Sequence, residues 1–148
     1  MKKYFFPILI TTTCLVGVVF LSGCTSINVK PVANVSAIKH VCIKECPEDC
    51  YVEELPTVIA EGFERHGIST QIFTGEVPAH CEYHLNFMCN RTWHYGMSMN
   101  HAEVWLFQGS TQIGSAVYHR RGEEGFALMT RLGTKAKMDP VIDELLGK

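Results

Sequence analysis

One long apolar stretch opens the chain, and short alternating or helically spaced segments follow it. Phe5 to Leu21 is almost uncharged, interrupted by Pro7 and a few Thr and Gly residues, and it stands behind the basic start Met1-Lys2-Lys3-Tyr4. That is the n-region and h-region of an export signal. A membrane-spanning helix needs about 20 apolar residues, whereas this run is ~17 long and ends in Leu21-Ser22-Gly23-Cys24. Thr25 to Ala37 is polar, small and β-branched, carries Pro31 and has no helical period, so it reads as a tether. Ala37 to Ile43 alternates as a first strand would.

From Val52 to His66 the residues Leu55, Val58, Ile59, Gly62, Phe63 and His66 recur at three and four, which predicts an amphipathic helix. Pro56 falls in its first turn and Gly67 stands at the C′ position. Three or four further strands follow, over Ser69 to Thr74, Glu82 to Arg91, His101 to Phe107 and Gln112 to Arg120. A hairpin turn at Gln108-Gly109-Ser110-Thr111 joins the last two. Gly122 to Gly125 reads as a loop and Phe126 to Leu132 as a short extra strand. A helix over Thr134 to Leu146 closes the chain, with Pro140 either starting its main body or kinking it. The order β-α-β-β-β-α predicts an α+β fold, a mainly antiparallel sheet with two helices on one face.

Alternation also sorts the strand residues by face. Tyr83, Leu85, Phe87 and Cys89 share one side with Ala102, Val104 and Leu106, whose small and aliphatic groups suit close helix approach. His84, Asn86, Met88 and Asn90 share the other with Glu103, Trp105, Phe107 and His119. Trp105 is therefore expected on the outward face, the alternative being a core position.

Leu21-Ser22-Gly23-Cys24 resembles the lipobox of bacterial lipoproteins. The resemblance implies a diacylglycerol on the Cys24 sulfur, cleavage before it and acylation of the new amino terminus. Each buried methylene contributes about 0.8 kcal/mol, so three chains would hold the protein to a bilayer for good. Thr25 is not the Asp that retains such proteins at the inner membrane, so the same resemblance implies the inner leaflet of the outer membrane, facing the periplasm. The domains then run 1–23 signal peptide, 24–37 lipidated N-terminus and tether, and 38–148 a single periplasmic domain.

"FERHGIST", "VPAHCEYHL", "IGSAVYH" and "KMDPVIDELL" resemble a family of short proteobacterial lipoproteins, from about Ile38 onward. The family has no assigned activity, so the resemblance implies lipidation and the fold and brings no mechanism. It keeps cysteines at the places of Cys42 and Cys81. This chain departs from it at Cys46, Cys50 and Cys89.

Removing residues 1–23 from 148 leaves 125, enough for one domain. Lys2 and Lys3 leave too, so 11 basic residues face 15 acidic ones, which argues against nucleic acid as a partner. In the periplasm thiols are usually oxidised. Cys42 ends one strand and Cys81 opens another, so a Cys42–Cys81 staple is expected; closing a loop of ~39 residues stabilises by roughly 3–4 kcal/mol in the chain-entropy model. Cys46 and Cys50 offer a second bridge, leaving Cys89 as a buried thiol. The sharper alternative for Cys42-x3-Cys46-x3-Cys50 is a soft-metal or redox centre, but neither C-x2-C zinc spacing nor a thioredoxin-like pair is present.

His84, Glu103 and His119 could converge on a metal ion, although a polar sheet face carrying ordinary histidines explains them with fewer assumptions. No G-x-S-x-G, HExxH or Gly-rich phosphate loop occurs, so no catalytic residue, metal or cofactor is assigned and the chain reads as no enzyme. The expected function is a non-enzymatic binding or structural module of the envelope, anchored to lipid through Cys24. It would recognise another envelope protein through His84, Trp105, Phe107 and His119. The alternative is a metal or small-ligand carrier using the His and Cys residues.

Overall fold

The computed structural model describes residues 25–46, 50, 52–93, 97–120 and 133–148, with side chains except at residue 25 and residues 91–98. The signal peptide, Cys24, the side chain of Trp93, and the loop and strand expected over residues 122–132 lie outside these residues. Among the described residues no helix is long and apolar enough to cross a membrane.

The chain folds as α+β. Among the described residues six strands form one sheet: β1 (Thr25–Lys30), β2 (His40–Lys44), β3 (Ser69–Phe73), β4 (Tyr83–Trp93), β5 (Met97–Gln108) and β6 (Thr111–Arg120). A 3-10 turn at Val35–Ala37 precedes β2. Helix α1 (Leu55–Arg65) lies between β2 and β3, and α2 (Thr134–Leu145) closes the chain. The sheet order is β1-β6-β5-β4-β2-β3.

One expectation needs correction. The segment expected as a tether is an edge strand, since β1 pairs antiparallel with β6 from Thr25↔Arg120 to Lys30↔Ser115. Its period is two: Ile27 and Val29 turn to the core while Ser26, Asn28 and Lys30 face away. The sheet is mainly antiparallel as expected, β1-β6-β5-β4 pairing so throughout, with a parallel part where β2 runs beside β3 on one side and β4 on the other. Helix α1 occupies the β2-to-β3 connection and carries the chain back to start a parallel neighbour. The second parallel step has no helix. Residues 74–82 alone make this return, from Phe73 opposite Lys44 at the end of β2 to His84 opposite Cys42 at its middle.

The helical periods fill one face of the sheet. Helix α1 buries Leu55, Ile59 and Phe63, and α2 buries Met138, Ile142 and Leu145. They meet Leu85, Ala102, Val104, Leu106 and Ala116 from the strands in a single core. Burial of a large aliphatic or aromatic side chain contributes about 1.5–3 kcal/mol. Gly67, at φ 75°, ends α1 as expected, and Gly109, at φ 56°, turns the β5–β6 hairpin. Helix α2 runs through Pro140, which costs the Ala136 carbonyl its intrahelical donor. The helices are also tied by charge: Asp143 Oδ1 accepts from Arg65 Nη2 and His66 Nε2, each at 2.7 Å.

Gly114 on β6 lets the chain after β1 and the end of α2 close over the sheet. A Cβ there would stand 2.8 Å from Val32 Cγ2 and 3.1 Å from Leu145 Cδ1, and the Val32 amide donates to the Leu145 carbonyl at 2.9 Å. Gly114→Ala should therefore destabilise the domain by about 1–3 kcal/mol through overpacking. Urea unfolding checks this; an unchanged midpoint would mean that the neighbours yield without cost.

Candidate functional site

The face of the sheet opposite the helices carries most of the side chains that could engage a partner. Alternation puts them there, and the strand register sets their order. Asn86, Trp105 and Ser115 form one cross-strand row, and Met88, Glu103 and Val117 the next. Trp105 and Phe107 are half-buried among these neighbours, outside the core, and Met88 is 41% exposed. Between Leu106 and Phe107 the β5–β6 register shifts, so that Phe107 pairs with Gln112.

His84 lies opposite Phe107 and stacks on its ring, with centroids 5.1 Å apart and planes 7° from parallel. Burial pushes the His84 imidazole below its ordinary pKa, because the charged form is poorly solvated there. His119 sits elsewhere, against His101, with Nδ1 atoms 3.3 Å apart and rings edge-on. His101 Nε2 in turn meets Glu103 Oε1 at 2.8 Å.

The set His84, Glu103 and His119 thus does not converge. His84 pairs with Phe107, four residues or about 13 Å along β5 from Glu103. The structure gathers His101, Glu103 and His119 instead. His101 was missed as a partner although its parity with Glu103 signalled a shared face.

At the β2 end of the same face Cys42 is bonded to Cys81, both buried with Phe73 in a small cluster separate from the main core. The bond fastens residues 74–82 across β2. Two histidines that the sequence reading passed over flank it. His40 is two residues from Cys42 on the strand and so shares its side, and His80 precedes Cys81. His40, Cys42 and His80 present ligand atoms all within 4.8 Å of one another.

A second bridge joins Cys46 to Cys50 on the helix side, beside a depression bounded by Glu45, Glu53, Pro56 and Ile72. Cys89, in neither bridge, lies buried with its sulfur 3.3 Å from Cys50 Sγ.

No protein-family model matches the chain, and no curated protein matches it. Solved structures do. A PelC dodecamer from Paraburkholderia phytofirmans, in a point-variant form, superposes with a TM-score of 0.60 at 13% identity, covering 84% of this chain and 99% of that one. A second structure, the PelC dodecamer from the same organism, gives 0.58 at 12% identity with the same coverage. At such identities the likeness is one of fold.

Two predictions follow from this geometry. A non-reduced digest should yield a peptide linking Cys42 to Cys81; mass spectrometry finding both as thiols would reject the bridge. The depressed His84 pKa makes stability pH-dependent, because the unfolded chain takes up this proton near pH 6.5 and the folded chain only below it. The His84 contribution is complete above 6.5 and is lost as pH falls through that value toward the folded one. His84→Gln should flatten this part of the profile relative to the parent in urea unfolding, and parallel profiles would contradict it.

Proposed function

We propose that this protein is a non-enzymatic structural module of the bacterial envelope, acylated on Cys24 and held at the inner leaflet of the outer membrane, facing the periplasm. It works by protein association through its outward sheet face. The observation that carries this reading is the face itself, where Met88, Trp105 and Phe107 stand opposite the two helices and half-exposed. Aromatic and Met side chains so placed are suited to interface anchoring.

The likeness to PelC supports the reading and suggests the partner. Those structures are dodecamers, so a further copy of this chain is the first candidate for what the face binds. The anchor has a geometric consequence. Strand β1 begins at Thr25, the residue after Cys24, so acylation would bring the Thr25 end of β1 close to the bilayer, without a spacer.

Two experiments test the parts separately. Cys24→Ser should abolish incorporation of a fatty-acid analogue and release the protein from the membrane fraction; undiminished labelling would refute the anchor. Trp105→Ala should cost little in a thermal melt and weaken association by about 2 kcal/mol, as an interface anchor does, read by sedimentation of the detergent-solubilised protein. A loss of stability of about 3–5 kcal/mol would mark Trp105 as core instead.

A further inference from the structure

The geometry points to a soft-metal site masked by the Cys42–Cys81 disulfide: on reduction, the two thiolates, His40 Nε2 and one ring nitrogen of His80 would take a single zinc ion. The argument starts from hydrogen bonds that set the two imidazoles. Ser69 Oγ donates to the Lys39 carbonyl at 3.0 Å, which leaves the same oxygen to accept from His40 Nδ1 at 2.8 Å. With the proton on Nδ1, the lone pair is on Nε2, and Nε2 faces Cys42 Sγ at 3.7 Å. His80 Nε2 stands 3.0 Å from Gln71 Oε1; an amide oxygen only accepts, so Nε2 donates and Nδ1 carries the lone pair. Each ring is thus held by one nitrogen and open at the other. A neighbouring oxygen fixes the tautomer of metal-ligating histidines in the same way.

The spacing fits a tetrahedral ion. Zinc bonds of about 2.3 Å to sulfur and 2.0–2.1 Å to nitrogen put neighbouring ligand atoms about 3.3–3.8 Å apart. His40 Nε2 and Cys42 Sγ are already at 3.7 Å, and one ring nitrogen of His80 lies within 4.8 Å of the Cys42 sulfur and of a His40 ring nitrogen. Cys81, bonded to Cys42, is the fourth ligand at hand. A Cys2His2 set of this kind closes a structural zinc site.

In the bridged state both sulfurs are spent on each other and the site is shut. A dithiol reductant opens it: the Cys42–Cys81 bond breaks, its sulfurs gain two electrons and two protons, and the reductant closes its own disulfide. Zinc binding then releases both thiol protons to solvent. The metal would replace the covalent staple between residues 74–82 and β2, so the segment stays fastened in either state.

Cobalt(II), a spectroscopic stand-in for zinc, added anaerobically to the reduced, detergent-solubilised full chain should give thiolate-to-cobalt charge-transfer absorption that zinc abolishes. The bridged chain should give none. His40→Gln and His80→Gln, at positions exposed enough to be tolerated, should each weaken zinc binding more than about tenfold, and Ser69→Ala should do so by about 10–100-fold through the freed His40 ring. Undiminished affinity and absorption with both histidines substituted would mean that thiolates alone hold the metal and would overturn the proposal. Equal binding by the bridged chain would also overturn it, as would a reduced chain that unfolds and does not refold with cobalt.

Discussion

The close seating of two helices on one face of the sheet is the constraint on which the rest of the molecule depends. It is reached where side chains are smallest. At Gly62 of α1 a Cβ would lie 3.0 Å from Ile142 Cγ2 of α2, and at Gly114 of β6 it would meet Val32 and Leu145. These gaps let α1 approach α2, and α2 approach the strands, near enough for Phe63, Ile59, Ile142 and Leu145 to leave solvent entirely. A domain this small has one main core, so β1, β2, β4, β5 and β6 turn apolar parity toward the helices. The opposite parity is then released from packing and carries chemistry.

That released face is not uniform. Over β4, β5 and β6 it holds aromatic and Met side chains with a His–Glu–His group, half-exposed. Over β2 it is crossed by residues 74–82, stapled through Cys42 and Cys81. The staple is needed because of the topology: a parallel step from β3 to β4 without a helix leaves its connecting segment with little apolar surface of its own. Phe73 and the two half-cystines supply the small separate cluster that holds it. The histidines beside the staple and those on the open strands thus belong to different parts of the face.

Much of this was legible in the sequence because period and parity are local. The apolar spacing from Leu55 to Phe63 gave α1, Gly67 its end and Gly109 the hairpin. Alternation put His84, Trp105 and Phe107 on one side. Direction and partnership are not local. Nothing in Ser69 to Phe73 says that it pairs parallel to β2, since that follows from where α1 returns the chain. Thr25 to Lys30 failed differently: its alternation of β-branched and polar residues is a strand signal, outweighed in the reading by its place next to a lipobox. His40 and His80 were missed because 40 residues separate them, and only the fastening of residues 74–82 over β2 brings them together.

The recovered strand changes what an anchor on Cys24 would do. A flexible tether would let the domain tumble and meet partners in any orientation. With β1 paired to β6 from its first residue, and with the Val32 amide bound to the last turn of α2, the segment from Thr25 to Val32 belongs to the rigid body. An acyl group on the proposed position would then hold the Thr25 end of β1, and with it one corner of the sheet, close to the bilayer. Copies anchored in one leaflet would meet within a plane, so the search for a partner would lose translational freedom before any contact forms. Were the proposed association to run through Trp105 and Phe107, less affinity would be required of them than association in solution would demand, which fits a face whose aromatic groups are only half-exposed.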